Sequence, residues 1–320
     1  MKKSKESPCR LCGARAFDLV ATRIREGRGR IIACRRCGLV QQGLAWDAAR
    51  LRRYYEREYQ QTNSLRQGES QTPREHYLDR NRTIGPLFAK IRPLLRKRDA
   101  VLEVGCGAGS LLARIKPLVR KCVGLEVHTP FVDFVRDELG IAAQASDLAA
   151  AGLRERFDLI ICISTLDHLP DPLAALRLMK RRLAPGGRLY LEVPNRDEAL
   201  NFFLPPATRG DYNRFFWHRA HYSYFTRATL AALCRRAGLT AAITCRHDYT
   251  LKNFLQWYFA GRPQPGLVAG MAENRFFAGT DPFARRLDRA LLRAEQAFKR
   301  IMAETFRGDS LCCVARRARR

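Results

Sequence analysis

The sequence predicts an α/β fold: a mostly parallel sheet with crossover helices, preceded by a small cysteine-bearing head. Three observations predict it. Short apolar runs alternate with helical patterns from Ala100 onward, a glycine-rich turn follows the first of those runs, and two Cys-x-x-Cys pairs stand within the first 37 residues. With 320 residues, 46% of them apolar, the chain can bury one generous core or a large domain with a small attachment, and intrinsic disorder is excluded. No apolar run approaches the roughly 20 residues that span a bilayer, and residues 1–5 lack the apolar stretch of a signal peptide, so the expected location is cytoplasmic. Eleven cysteines, an odd number without an export signal, argue for thiolate-metal chemistry wherever their spacing is regular.

Taken in order, residues 1–45 form the expected head and 46–77 a polar, aromatic and charged linker with helical character. Pro73 opens a pattern in which Leu78, Ile84, Leu87, Phe88, Ile91 and Leu94 recur at helical spacing. Strands are expected at 101–104, 122–127, 141–145, 157–163 and 188–193, with helices at 110–119, 130–139 and 172–183 between them. An aromatic-rich insertion over 198–225 then interrupts the rhythm, carrying Phe202, Phe203, Tyr212, Phe215, Phe216, Trp217 and Tyr222. Thr226 is placed to N-cap a helix that stops at Gly238, ahead of a strand at 239–245. Glycine and proline mark 261–279 as loop, a helix covers 282–302, and a last strand is expected at 310–315.

The formal charge of +27 is unevenly spread. Residues 1–100 carry 24 basic and 10 acidic side chains, 101–197 carry 13 and 12, and 198–320 carry 21 and 9. A near-neutral centre between basic flanks points those flanks at an anion: a phosphorylated small molecule, nucleic acid or an acidic membrane surface. The competing explanation is compositional, since arginines outnumber lysines 48 to 10 and are mostly dispersed.

In the run 101–109, a strand enters a turn containing Gly105, Gly107 and Gly109 and opens a helix. Glycines let the backbone approach a ligand closely. The dinucleotide fingerprint needs a glycine three residues after Gly107, where Ser110 stands, so NAD is not the expected ligand. Gly-x-Gly-x-Gly after a strand carrying Glu103 resembles the first motif of class I S-adenosylmethionine-dependent methyltransferases. Glu126, 21 positions after Gly105, matches the carboxylate that takes both ribose hydroxyls in that family, and Asp147 the acid near its adenine amine. The segments 157–160, 166–172 and 183–189 look like its fourth strand, the loop that follows and the turn into its fifth strand. The resemblance covers about residues 78–248 and implies a Rossmann-like, mostly parallel seven-stranded sheet with S-adenosylmethionine as methyl donor. On the same resemblance, the domain would run over 78–320, with a helical extension toward its C-terminus.

Cys9 and Cys12, then Cys34 and Cys37, form two Cys-x-x-Cys turns with 21 residues between them and a glycine after each second cysteine. The spacing is that of a four-cysteine zinc site, in which four thiolates leave no open position, so the ion is expected to be structural. A redox role is the alternative for either pair. The head, followed by Gly38-Leu39-Val40-Gln41 and a Tyr-rich helix at 54–56, resembles zinc-headed methyltransferases that include sugar C-methyltransferases. Those enzymes carry a further C-terminal domain, which this chain is too short to contain complete.

Methyl transfer from a sulfonium requires the protein to align a nucleophile and, for a hydroxyl or carbon acid, to take its proton. The segment 216–226 offers His218, His221 and Tyr222. His221, with Phe225 and Thr226 downstream, resembles the proposed base of the zinc-headed sugar enzymes. Where those carry a glutamate just before the histidine, this chain has Ala220. His221 can equally be a packing residue for the next helix, and His218 and Tyr222 are secondary candidates. His168 is expected to pack or to touch cofactor, and Arg214 and Arg219 could hold a phosphate or carboxylate.

The leading expectation is a methyltransferase for a small anionic acceptor, such as a nucleotide sugar or glycan intermediate, methylated at oxygen or carbon. An RNA methyltransferase whose basic zinc head binds nucleic acid is the alternative. A nucleic-acid-binding zinc protein without turnover is the third reading.

Overall fold

A computed structural model describes residues 7–43, 50, 53–59, 65, 70–272, 275–277 and 280–318. Residues 1–5 and the expected boundary at 45–46 lie outside the described residues. Strands β1 (Phe17–Ile24), β2 (Gly27–Cys34) and β3 (Val40–Gln42) make an antiparallel sheet at the N-terminal end. A helical turn over Tyr54–Glu58 leads to α1 (Pro73–Thr83), whose N-cap Thr72 and Glu75 form a reciprocal capping box, and then to α2 (Gly85–Ile91). Leu78 departs from the expected apolar stripe: it is exposed, and the buried positions of α1 are Asp79 and Thr83.

The larger unit follows with β4 (Ala100–Val104), α3 (Ser110–Ile115), β5 (Lys121–Glu126), α4 (Thr129–Asp133), β6 (Ala142–Ala145), β7 (Phe157–Ile163), α5 (Pro172–Arg182) and β8 (Leu183–Pro194). Pro117 lacks an amide hydrogen, so α3 gives way at Lys116 to a tighter turn and falls short of residue 119. Asp171 caps α5 by accepting from the Ala174 N–H at 2.8 Å. In the insertion, α6 (Leu200–Phe203) and α7 (Pro206–Phe216) are helical, and β9 (Ser223–Tyr224) follows. Thr226 caps α8 (Arg227–Arg236) as expected, and β10 (Leu239–Arg246) comes next.

The sequence reading missed α9 (Leu251–Ala260), and the expected loop over 261–279 contains a short helix, α10 (Leu267–Met271). Thr250 starts α9 by accepting from the Asn253 N–H, a cap hidden in a stretch rich in aromatics. The chain ends in α11 (Pro282–Glu304) and β11 (Ser310–Arg317).

The seven-stranded sheet has the order β10-β11-β8-β7-β4-β5-β6, with β11 antiparallel to both neighbours and β4 to β8 parallel. Its strands read as continuous apolar runs because both faces are covered. Leu102, Ile160, Leu191 and Cys313 pack on one side, while Val101, Ile161, Tyr190 and Cys312 pack on the other. The smaller sheet is completed by β9, which pairs with β3 through Val40 to Tyr224 and Gln41 to Ser223. The head and the aromatic insertion therefore share one sheet, and Cys9, Leu11, Cys34 and Leu39 are buried in the same apolar cluster as Phe225 and Leu230.

Candidate active site

The carboxyl end of β4 runs into the glycine turn, where Gly105, Gly107 and Gly109 all have positive φ (76°, 52° and 76°). A Cβ on Gly105 would sit 2.1 Å from Thr165 Oγ1, and one on Gly109 would meet Val135 at 2.8 Å, so these two positions are closed by the protein itself. Gly107 differs. Its nearest neighbour would be His76 at 3.8 Å, which leaves its bare backbone open to the cleft.

Glu126, at the end of β5, ties that turn down. Its Oε2 accepts from the Gly107 N–H at 2.9 Å, and Oε1 accepts from the N–H groups of Val127 and His128 at 2.8 and 3.1 Å. Oε2, which accepts a single N–H, keeps a lone pair for a hydroxyl. Asp147 Oδ1 accepts from the N–H groups of Ala149 and Ala150, both at 2.8 Å, which points the exposed carboxylate into the cleft. Glu103 is buried on β4 and its Oε2 has no hydrogen-bond partner; burial raises it to about 8, against the lowering effect of Arg80. An orphaned buried carboxyl, a carboxylate at a backbone cradle and an acid in the adenine position fit the ammonium, ribose and base of S-adenosylmethionine.

At the other end of the cleft stand His168, His218 and His221. His221 Nε2 lies 3.0 Å from Asp167 Oδ2 and His168 Nε2 lies 3.5 Å from the same oxygen. The His218 ring lies against His221, tilted by 49°, at 3.5 Å between centroids. Burial raises Asp167, but His168 and His221 beside it outweigh that and bring it below the ordinary carboxylate value. Burial lowers His168 to about 4, so that ring is neutral at physiological pH, and Tyr55 OH touches its Nδ1 at 2.9 Å. Donor atoms of Asp167, His168 and His221 lie within 4.8 Å of one another, close enough to ligate a cation as well as to relay a proton.

Between these ends the cleft holds about 1750 Å³. Tyr212, Phe215 and Trp257 give it an aromatic wall, with Tyr212 and Trp257 edge to face at 4.8 Å. Arg25, from the turn between β1 and β2, enters from the head: its Nε donates to the Phe215 carbonyl at 2.9 Å and its Cζ sits 3.8 Å from the Phe215 ring centre. Arg80 lines the same cleft from α1. Burial lowers both guanidinium groups, and neither makes an ion pair among the described residues. Unpaired guanidinium groups in a cleft are receptors for carboxylate or phosphate.

The four cysteines of the head converge, Cys9 to Cys37 and Cys12 to Cys34 each at 3.5 Å between sulfurs and all four within 4.8 Å. That separation is far too long for a disulfide of about 2.05 Å and close to the edge of a tetrahedron with Zn–S bonds of about 2.3 Å. Arg10, inside the first cysteine turn, carries the head's geometry to the cleft. Its Nη1 donates to the carbonyls of Gln42 and Tyr222 at 2.9 and 3.3 Å, and its Nε to Pro170 at 3.1 Å. Gln42 Nε2 in turn donates to the carbonyls of His218 and Arg219 at 2.9 and 2.8 Å.

Of the residues singled out in the sequence, Glu103, Gly105, Gly107, Glu126, Asp147, His218 and His221 come together around one cleft. Gly109 shapes the turn from behind, against Val135. Tyr222 is buried outside the cleft lining, with the Arg10 guanidinium 5.0 Å over its ring. Arg214 pairs with Asp211 at 2.9 Å on the surface and Arg219 does not line the cleft. Sequence reasoning missed Asp167, Tyr55, Arg25, Arg80 and Trp257. Asp167 lies in the segment 166–172 beside His168, yet nothing local signals a partner so distant in sequence as His221.

A protein-family model described as a methyltransferase domain matches residues 75–242. The ubiquinone biosynthesis O-methyltransferase of Xanthomonas oryzae pv. oryzae is 32% identical over 149 residues, covering 43% of this chain and 62% of that protein. Its counterpart from Pseudomonas fluorescens is 27% identical over 157 residues, covering 44% and 64%. This chain thus spans less than two thirds of the length of these curated relatives. The solved structure of the YcgJ protein from Bacillus subtilis aligns with a TM-score of 0.46 at 17% identity, over 74% of this chain and 98% of that one.

Proposed function

This chain belongs to the methyltransferase-domain family, and from that premise we propose that it is an S-adenosylmethionine-dependent methyltransferase for a small anionic acceptor, a nucleotide sugar or glycan intermediate, methylated at oxygen or carbon. The observation that carries the reading is the joining, in one cleft, of the Gly107–Glu126 cradle to the His221–Asp167 pair, with Arg25 and Arg80 beside them making no ion pair among the described residues. When bound, S-adenosylmethionine supplies an electrophilic methyl group. Glu126 holds the ribose, Asp147 faces the adenine amine and Glu103 receives the ammonium. Arg25 holds the acceptor's anionic group while the Tyr212, Phe215 and Trp257 wall excludes water. His221, with its Nε2 hydrogen directed at Asp167, would accept the acceptor's proton at Nδ1 as the methyl carbon bonds to the acceptor and its bond to the departing sulfur breaks, and Asp167 would stabilise the resulting imidazolium.

The four-cysteine head fits a structural zinc ion, held by Cys9, Cys12, Cys34 and Cys37. Its role in this reading is to hold Arg25 and the His221 segment in place. The test is a turnover screen with methyl-labelled S-adenosylmethionine against nucleotide sugars, glycan phosphates and neutral sugars. Labelled anionic product, lost in Arg25→Ala, supports the reading; cofactor binding with transfer only to neutral acceptors overturns the anionic assignment.

A further inference from the structure

Between β10 and β11 the chain inserts α9, α10 and α11, beyond the stretch that the family model matches. The inner side of this insertion serves the cleft through Asn253, Trp257 and Met271. Its outer side has no such use. At about 100° per residue, Ala284, Asp288, Leu291, Glu295 and Phe298 share one side of α11. Both acids there are buried. Asp288 Oδ1 accepts from the Phe276 and Phe277 N–H groups at 3.0 and 3.3 Å, and Glu295 Oε2 from the Leu251 N–H at 3.1 Å. Phe298 packs on Phe254 of α9 at 5.2 Å between ring centres.

Arg285, Arg286, Arg289, Arg293 and Arg300 fall within an arc of about 100° on the opposite side. All five are exposed, and none makes an ion pair among the described residues. At the edge of that arc, about five turns apart, Phe283 is 73% exposed and Ile301 57%. Phe259, at the end of α9, is 77% exposed. An ordinary solvated helix face mixes signs and carries few large apolar groups. This one turns Asp288 and Glu295 inward and five arginines outward, with Glu304 at its last turn the exposed acid among them, and leaves Phe283 and Ile301 beside them. Phosphate headgroups neutralise guanidinium groups, and the headgroup-acyl boundary takes exposed aromatic and branched side chains. Nucleic acid would engage the arginines but leave Phe283 and Ile301 in water. No helix among the described residues is long and apolar enough to cross a membrane, so contact through this face would be peripheral.

We propose that the outer face of α11 docks on an anionic lipid bilayer. This surface is independent of the methyl-transfer reading.

The test is co-sedimentation of the full chain with vesicles of phosphatidylcholine alone and of phosphatidylcholine mixed with phosphatidylglycerol. Two double variants are compared, Arg286→Glu with Arg293→Glu and Phe283→Ser with Ile301→Ser, each checked for an unchanged circular dichroism melt. The full chain should partition onto the anionic vesicles and not onto the neutral ones. The charge reversal should weaken that partition roughly 25-fold or more, at about fivefold per arginine near the surface, and the serine variant should weaken it severalfold. Absent or headgroup-independent partition overturns the proposal, as does partition that survives both variants. Binding of single-stranded RNA that falls with the glutamate variant and ignores the serine variant, in the absence of vesicle binding, would assign the face to nucleic acid instead.

Discussion

His221 Nε2 approaches Asp167 Oδ2 to 3.0 Å, although one residue lies in the aromatic insertion and the other follows β7. The main chain enforces the approach, because the Tyr222 N–H donates to the Asp167 carbonyl at 2.8 Å. Ala220 offers His221 no carboxylate from the neighbouring position in sequence, and Asp167 supplies one from another loop. His221→Ala should lower kcat by roughly 10² to 10⁴-fold, the range of general-base removal, with cofactor affinity unchanged by calorimetry. Asp167→Asn should lower kcat by a smaller factor. Wild-type turnover in His221→Ala would remove it as the base.

Glu103 predicts a proton linked to cofactor binding. Burial raises its carboxyl from 4.5 to about 8, so the folded, cofactor-free chain holds a proton near pH 7 that the unfolded chain has released. Its contribution therefore favours the fold at low pH and is lost as pH rises from 4.5 toward 8, with the full penalty of a buried carboxylate above that. An ammonium placed against Glu103 reverses the preference and expels the proton. Calorimetry of S-adenosylhomocysteine binding at pH 7, in buffers of different ionisation enthalpy, should show release of up to one proton. Glu103→Gln should abolish the buffer dependence; a wild-type protein without it refutes the linkage.

The glycine turn predicts a rescue. Gly105→Ala adds a Cβ 2.1 Å from Thr165 Oγ1 at a φ of 76°, so both contact and backbone oppose it. A stability loss of about 2 kcal/mol or more is expected in urea melts, of which the left-handed backbone accounts for about 1 to 2. Adding Thr165→Ala should recover the remainder. No recovery would mean that the turn moves as a whole instead of colliding locally.

The head predicts a separation of binding from turnover. Metal analysis should find near one zinc ion per chain. Arg10→Ala cuts the links to Pro170 and Tyr222 without touching Glu126 or Gly107. Its kcat should fall at least tenfold, roughly the effect of an ångström-scale misplacement, while cofactor affinity holds. Equal loss of both would show that the head supports the whole fold and not the His221 segment alone.

The parallel sheet and the cofactor turn were legible because their signals are local. Val101 to Val104 and Phe157 to Ile163 are apolar at every position except Glu103 and Asp158, as suits strands covered on both faces, and the glycine spacing at 105, 107 and 109 is a backbone requirement written over five residues. Helix α9 escaped because its single cap, Thr250, is followed by aromatics on more than one side. Leu78 misled because an apolar residue at helical spacing need not face the core when the neighbouring helix covers a different side.

From the sequence alone followed the α/β architecture, the cysteine quartet, the cradle of Gly107 and Glu126 and the candidacy of His221, since each depends on residue types at short or regular separations. Only the tertiary structure decided that Asp167 faces His221, that Arg25 reaches from the head into the cleft and that β9 joins the head's sheet. Those three arrangements bring together segments far apart in the chain: the head's hairpin turn, the loop after β7 and the aromatic insertion. Chain folding, which is absent from any window of sequence, sets the distances there.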